Sequence, residues 1–189
     1  NDVENTFEFV GEDDDILKIN FGFALDNKKS LEIVLNFTLK IPNSTHRFGW
    51  FDGNINLGNW YPIVCMFENG EFDMSPYYST GDPFYSDIAN YDVEITYPST
   101  YKLCSSGSIV LENLGETTKA KMTAKAVRDF ALCFSDKSKI ISKTQGDVEY
   151  FYMGYETDKQ FDKYLNILIS ATEYFGDSFG EYPYSTLSV

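Results

Sequence analysis

The chain has 189 residues, of which 43% are hydrophobic and 17% aromatic; this much apolar material can fill a packed core and argues against an intrinsically disordered chain. Its 29 acidic and 15 basic residues give a formal net charge of -14. Because such a charge repels phosphate backbones and anionic lipid headgroups, we expect no binding to nucleic acid or to membrane surfaces.

The first predicted elements are two paired strands. In residues 31–41, apolar side chains at every second position alternate with mostly polar ones, which is the period of a strand with one buried face. Residues 16–24 are predicted to pair with this strand, and Asp26-Asn27 begins a turn between the two.

Further strands are predicted downstream. Residues 91–97 alternate in the same way, and Pro98 closes the run. More strands are expected at residues 108–111, 117–124, 128–134 and 148–153, with Gly107, Gly115 and Gly146 at turns or bulges. Many short strands separated by turn residues are typical of a β-sandwich or a large curved antiparallel sheet.

Near Thr157 the period changes to that of an amphipathic helix. One face of this helix carries Phe161, Tyr164, Leu165, Leu168, Ile169, Thr172 and Phe175. Residues 157–160 fit a capping box with Thr157 as N-cap, and Gly176 is the expected end of the helix. The predicted fold is therefore mainly β, followed by one C-terminal α-helix.

Side chains that could carry catalysis are sparse. His46 is the single histidine, so the sequence indicates neither an H-E-x-x-H zinc motif nor a Ser-His-Asp triad. A glycosidase would need two facing carboxylates, for which an acidic chain offers many chance pairs. The neighbouring candidates are Glu68, Glu71, Asp73, Asp82 and Asp87.

Two further sets of residues leave alternatives open. Residues 50–61 combine aromatic side chains with amides, a composition that sugar sites share with ordinary cores. The three cysteines, Cys65, Cys104 and Cys133, lack metal-ligand spacing and lie in apolar or small-residue stretches. Buried free thiols are expected, although one disulfide is compatible with the sequence.

Three segments, in order, resemble one protein family. They are HRFGWFDGNINLGNWYPIVCMFENGEF (residues 46–72), GDPFYSDIANYDVEITYPSTY (residues 81–101), and VRDFALCFSDK (residues 127–137) together with the final FGEYPYSTLSV. Together they resemble the amino-terminal part of the aminopeptidase N family, the gluzincin zinc metallopeptidases, and especially its bacterial members.

The resemblance implies a saddle-like amino-terminal β domain over residues 1–156. Residues 157–189 would be the first helix and strand of a catalytic domain that is truncated before its zinc site. The family's G-A-M-E-N-type segment and its H-E-x-x-H motif do not occur in the sequence. The resemblance therefore implies a chain without catalytic residues, peptidase activity or a cofactor of its own, with zinc expected in the full-length parent.

The resemblance also implies partners and a substrate site. The partners are the missing catalytic domain of the same polypeptide and, in the parent, a peptide substrate; self-association through an exposed helix is a further expectation. In many family members, a Gln or Glu of the β domain holds the substrate's free α-amine, shortly before a proline-containing strand. The matching region ahead of Pro62 contains neither, and this departure leaves Asp52, Asn54 or Asn56 as the substrate-binding candidates.

A stand-alone β-sandwich module that binds carbohydrate or protein is the alternative hypothesis. Such a module should bury the helix stripe from Phe161 to Phe175 against its own sheet. A fragment should leave much of the stripe exposed or cover it with another copy. The chain begins with Asn1 rather than Met, which favours a trimmed, extracytoplasmic or cell-surface protein over a cytoplasmic one.

Overall fold

A computed structural model describes residues 6–11, 14–26, 28–76, 78, 80–81 and 86–189. These residues form a mainly β chain with several antiparallel sheets and one helix near the C-terminus, as the sequence predicts. The elements are β1 (Phe7–Val10), β2 (Ile16–Ile19), β3 (Phe48–Phe51), β4 (Asn54–Leu57), β5 (Phe67–Glu68), β6 (Glu71–Phe72), β7 (Ala89–Pro98), β8 (Lys102–Ser105), β9 (Ser108–Asn113), β10 (Thr117–Val127), β11 (Leu132–Ser135), β12 (Ser138–Gln145), β13 (Val148–Tyr155), α1 (Phe161–Phe179) and β14 (Thr186–Ser188).

The chain divides into two compact units. The first comprises Asn1–Leu39 and Ile63–Asp87, and the second comprises Lys40–Pro62 and Ile88–Val189. The first unit contains the β1–β2 and β5–β6 hairpins, and the second contains the remaining strands and α1. The predicted domain boundary after residue 156 stays a prediction; in this division the helix shares a unit with the strands that precede it.

Two sheets of the second unit enclose its main apolar core. One has the strand order β3-β4-β11-β8 and the other the order β7-β10-β9. Both contribute buried side chains to one cluster, among them Leu57, Leu103, Met122, Leu132 and Phe134. This sharing of a core by two sheets is the arrangement of a β-sandwich.

Most of the downstream strand predictions are confirmed. Residues 91–97 lie in β7, whose alternate aromatic and β-branched side chains pack on the core while its edge pairs with β10. The predictions at 108–111, 117–124 and 148–153 correspond to β9, β10 and β13. The prediction at 128–134 is only partly right, because the ladder begins at Leu132.

The strand predicted at residues 31–41 is wrong. The structure gives this segment no regular element, and Ile33 and Phe37 remain 47% and 50% exposed. The strand predicted at residues 16–24 forms only over Ile16–Ile19, and its predicted pairing is wrong, because it pairs with Phe7–Val10. Alternation describes an extended backbone with two faces, whereas a strand also requires a hydrogen-bonded neighbour. The turn at Asp26 does form, since Lys29 N–H donates to its carbonyl at 3.1 Å; Asn27 lies outside the described residues.

The helix packs on a separate three-stranded sheet with the order β12-β13-β14. Its inner face buries Phe161, Leu165 and Ile169, the last two beside Tyr150 of β13. After the helix the chain returns as β14, which pairs parallel to β13 with Leu187 opposite Tyr150. The segment β13-α1-β14 is therefore a βαβ unit, in which the helix covers one face of the sheet. The described part of the chain contains no helix with the length and hydropathy that a membrane span requires.

Both predicted ends of the helix are wrong. The N-cap is Gln160, which makes no side-chain capping bond, and the Asp158 carboxylate accepts the Gln160 N–H at 2.8 Å. The helix passes through Gly176 and ends before Gly180, whose φ of 113° suits glycine. Thr157 lies too far ahead of the first turn for a capping box. A single glycine costs a helix only about 1 kcal/mol, and the helix continues past Gly176, whose carbonyl accepts the Gly180 N–H at 3.0 Å.

Alanine substitutions at two glycines should change the stability of the protein in opposite directions. A Cβ on Gly107 would collide with the backbone carbonyl of Thr123 on the neighbouring strand, whereas a Cβ on Gly176 would meet no atom within 4 Å. We expect Gly107→Ala to lower the free energy of unfolding by about 1–3 kcal/mol. Gly176→Ala should raise it by about 0.5–1 kcal/mol, because alanine loses less conformational freedom in a helix. Urea unfolding of the two variants measures both effects, and equal stabilities would contradict the strand packing at Gly107.

Candidate functional site

The predicted substrate-binding residues surround the turn between β3 and β4. Asp52 and Gly53 form a two-residue connection with φ values of 48° and 81°, as a type I′ hairpin turn requires. We call Asp52, Gly53 and Asn54 the hairpin tip. An Asp-Gly pair between two short strand-like segments, here FGWF and NINL, is a recognised hairpin signal, so the turn itself was visible in the sequence.

The hairpin tip is held against the turn between β11 and β12. Asp136 N–H donates to the Gly53 carbonyl at 3.1 Å. Gly53 has a φ of 81°, which favours glycine, and a Cβ there would displace the Asp136 carboxylate from its present position. The tip is therefore fixed by a long-range backbone contact as well as by its own turn geometry.

The structure brings two of the three candidate side chains to this tip. The Asp52 carboxylate forms an ion pair with Lys137 Nζ, and Asn54 Nδ2 donates to the Tyr155 hydroxyl at 2.9 Å. Asn56 lies farther along the same face of β4, where its Nδ2 donates to the His46 carbonyl at 3.4 Å. Sequence reasoning missed Lys137 and Tyr155, because no local pattern links them to a turn so distant in the chain.

The electrostatics of the tip favour an ammonium group. The hydrogen bond to Asp52 raises the pKa of Lys137 above its usual value, partial desolvation opposes this, and the charges of Asp52 and Asp136 raise it further. Both members of the pair are about half exposed, with side-chain exposures of 47% for Lys137 and 55% for Asp52. An exposed ion pair of this kind contributes little to stability. It shows instead that the Asp52 carboxylate can hold an ammonium group at this turn.

A second polar cluster joins two loops of the core. Asp129 accepts hydrogen bonds from Asn59 Nδ2 and from the Tyr61 hydroxyl, both at 3.0 Å, and from Phe130 N–H at 2.7 Å. The Tyr61 and Tyr91 hydroxyls lie 2.8 Å apart. Asn59 and Asp129 are 70 positions apart in sequence, and nothing local predicts their pairing.

This cluster bears on the sugar-site interpretation of residues 50–61. Trp60 donates its indole N–H to the Phe130 carbonyl at 3.1 Å, and both Trp60 and Tyr61 pack against the core. Trp50 and Phe51 are the more exposed aromatics of the stretch. As consecutive residues of a strand they point to opposite faces of the sheet, so they do not form one stacking platform.

The carboxylates weighed for glycoside hydrolysis lie in the first unit. Glu68 is directly opposite Glu71 in the β5–β6 hairpin, and Asp73 accepts hydrogen bonds from Ser75. Asp82 lies outside the described residues. Hydrogen bonding to Ser75 holds the pKa of Asp73 below its usual value, which suits an ionised turn residue better than a general acid.

The described residues do not fit the zinc ion that the resemblance implies for a parent protein. No three His, Cys, Asp or Glu side chains among them are grouped as metal ligands. His46 is exposed, and its backbone N–H donates to Ser44 Oγ at 3.2 Å. A catalytic zinc site requires three protein ligands and an open position, so we assign no step through zinc to these residues.

Comparison with known proteins assigns no family to the chain. Neither a protein-family model nor a curated protein sequence matches it. The resemblance of residues 46–72, 81–101 and 127–137 to aminopeptidase N segments therefore stays an expectation from the sequence.

From the polar cluster of Asn59, Tyr61, Tyr91 and Asp129, we predict that the protein loses stability at alkaline pH. Burial, followed by the hydrogen bonds to Tyr91 and Asp129, raises the pKa of Tyr61 well above its ordinary value of 10.0. The folded protein therefore keeps the proton that the unfolded chain loses, and this stabilisation is complete below pH 10 and declines as the pH rises further. We expect the wild type to lose more stability than Tyr61→Phe between about pH 8 and about pH 11.

Urea midpoints at the two pH values measure this difference. Tyr61→Phe should itself be about 1 kcal/mol less stable at the lower pH, because Asp129 loses a donor. Tyr174→Phe is the control, since Tyr174 is exposed on the helix and its removal should leave the alkaline loss unchanged. An alkaline loss that is identical in wild type and Tyr61→Phe would contradict the assignment.

Proposed function

We propose that the chain is a non-catalytic β domain that supports and rims the peptide-binding cleft of a zinc aminopeptidase. In this role the hairpin tip holds the free α-ammonium group of the substrate. Asp52 supplies the carboxylate and Asn54 a neighbouring amide, while Asn56 is too far along β4 to share the turn.

The observation that carries the proposal is the ion pair between Asp52 and Lys137. The lysine side chain ends in a primary ammonium, the same group as a peptide's protonated N-terminus. Asp52 thus already binds the chemical group that an aminopeptidase must recognise. The pair is solvent-accessible, so an incoming ammonium can compete with Lys137 at small free-energy cost.

The rigid geometry of the hairpin tip also supports the proposed substrate site. The type I′ turn, the Asp136 contact and the hydrogen bond between Asn54 and Tyr155 hold the backbone that carries Asp52 in place before any ligand arrives. Pre-organised groups bind more tightly because less ordering entropy is lost on association. The hairpin also lies inside residues 46–72, one of the three segments that carry the family resemblance.

The proposed role requires a catalytic domain as partner. Because the described residues do not fit zinc, the metal ligands and the base that activates water would come from that domain. In the proposed complex, this chain contributes binding and orientation of the peptide's amino end. It contributes no proton transfer and no nucleophile.

Binding of a small amine ligand tests the hairpin tip directly. Lys137→Met removes the competing ammonium while keeping side-chain length, so it should bind alanyl-alanine amide about three- to fivefold more tightly than the wild type, as expected for a surface ion pair worth up to about 1 kcal/mol. Calorimetry or NMR titration measures the affinity. The N-acetylated ligand, which lacks the ammonium, should not bind.

Matched variants decide whether Asp52 is the group involved. Adding Asp52→Asn to Lys137→Met should abolish the gain in affinity for alanyl-alanine amide. Adding Asp147→Asn instead removes an equal charge from another two-residue hairpin connection, between β12 and β13, and should leave the gain intact. Retention of the gain without the Asp52 carboxylate would overturn the assignment of the ammonium site.

Zinc content and peptidase activity test the enzyme that the domain is proposed to serve. The 189-residue chain should be inactive and free of zinc. The polypeptide translated from its complete reading frame should hydrolyse aminoacyl substrates and contain about one zinc ion per chain. Zinc-dependent activity in the 189-residue chain would contradict a non-catalytic role, and an inactive, metal-free product of the complete frame would contradict the aminopeptidase.

A stand-alone binding module for protein or carbohydrate is the second candidate. One observation favours it: the helix buries Phe161, Leu165 and Ile169 against its own sheet, as a self-contained module should. Phe175, at the C-terminal end of the same stripe, is 55% exposed, and self-association there stays a prediction. The inactive, metal-free outcome of the preceding experiment would make this candidate the leading one.

A further inference from the structure

Two of the three cysteines are direct neighbours in the four-stranded sheet. The register between β8 and β11 places Cys104 opposite Cys133, with Leu103 opposite Phe134 and Ser105 opposite Leu132. Neither cysteine is in a disulfide in the structure. Because residues directly opposite in an antiparallel pair share one face of the sheet, the two thiol groups lie on the same side.

Their spacing suits a disulfide. Directly opposite residues of antiparallel strands have Cα atoms about 4.5 to 5.5 Å apart, inside the range of about 4.4 to 6.8 Å that disulfides span. Ser106 N–H donates to the Ala131 carbonyl at 3.1 Å and continues the same ladder. Hydrogen-bonded and non-hydrogen-bonded pairs alternate along an antiparallel ladder, and Cys104 and Cys133 lie two positions from the hydrogen-bonded pair of Ser106 and Ala131. Cys104 and Cys133 are therefore also a hydrogen-bonded pair, whose Cα atoms have the wider of the two spacings.

The two thiols differ in accessibility. Cys104 is buried, with 6% of its surface exposed, and Cys133 is half-buried. Leu103 and Phe134, one position along each strand, belong to the apolar core, so the cysteines lie on the opposite face of the sheet. An oxidant would therefore reach Cys133 first, and Cys104 would act as the second thiol.

We propose that Cys104 and Cys133 are a reversible redox pair that forms a cross-strand disulfide when it meets a small-molecule disulfide such as oxidised glutathione. The Cys133 thiolate attacks one sulfur of the oxidant, forming a mixed disulfide and releasing one small thiol. The Cys104 thiolate then attacks the Cys133 sulfur and releases the second small thiol. The two protons lost by the protein thiols are taken up by the two thiolates that leave.

The surroundings of the two thiols should make their oxidation slow and the oxidised protein more stable. Burial raises the pKa of Cys104 to about 12 and also raises that of Cys133, so the reactive thiolates are scarce at neutral pH. The disulfide would close a loop containing β9 and β10. Closing a loop of this length restricts the unfolded chain and stabilises the folded one.

The site has a consequence for the rest of the sheet that does not depend on the proposed function. β11 is bonded to β4 on its other edge, and it is followed by Asp136 and Lys137, which contact the hairpin tip. A covalent link from β8 to β11 would therefore fix the strand that anchors this tip.

Oxidation of the 189-residue chain with oxidised glutathione tests the proposal. In Cys65→Ser, which has no third thiol, intact mass spectrometry should show the loss of two hydrogens. In the wild type, a non-reducing peptide map should join Cys104 to Cys133. The melting temperature should rise by about 5–10 °C and return to its starting value after dithiothreitol treatment. Cys65→Ser should form the same disulfide as the wild type. Cys104→Ser should carry a glutathione adduct on Cys133 without an internal disulfide, whereas in Cys133→Ser the buried Cys104 should stay an unmodified thiol.

Three results would overturn the proposal. One is a wild-type chain that accumulates only glutathione adducts under these conditions. Another is a peptide map that joins Cys65 to either of the other two cysteines. The third is a Cys104–Cys133 disulfide that forms without raising the melting temperature, which would refute the stabilising link. The peptide map uses the unmodified sequence, so the test holds even if a serine variant fails to fold.

Discussion

The second unit depends on the pairing of β11 with strands on both of its edges. This strand has only four residues, yet it bonds to β4 on one side and to β8 on the other. Leu132 and Phe134 point into the core with exposures of 0% and 5%. Because a shift by one residue would exchange the two faces of the strand, core burial fixes its register. That register in turn places Cys133 and the Asp136-Lys137 turn.

The hairpin tip shows how a short turn becomes a fixed site. Positive φ values at Asp52 and Gly53 give the hairpin its shape, and the absence of a side chain on Gly53 lets Asp136 approach. The Asp52 carboxylate is thereby held beside an ammonium group on a neighbouring turn. A charged group on a flexible loop would have to be ordered by its ligand, whereas the backbone that carries Asp52 is already ordered by the fold.

The helix packs in an apolar cluster that is separate from the core of the β-sandwich. Its buried residues contact one sheet, β12-β13-β14, while Ile167, Tyr174 and Phe179 are exposed along other parts of its surface. The parallel return through β14 distinguishes this sheet from the antiparallel ladders elsewhere in the described chain. The helix is thus integral to the second unit, and its stability comes from this packing rather than from its caps.

The sequence by itself determined the features that depend on neighbouring residues. Period-two alternation located β7, glycines marked the turns before β10 and β13, and period-3.6 spacing located the buried face of α1. The same local signal failed at residues 31–41, because alternation cannot show whether a hydrogen-bonding partner is present. Only the tertiary structure decided the pairings of Asp52 with Lys137, Asn59 with Asp129 and Cys104 with Cys133. Each joins residues far apart in the chain, and such contacts follow from strand register and core packing, which no single segment encodes.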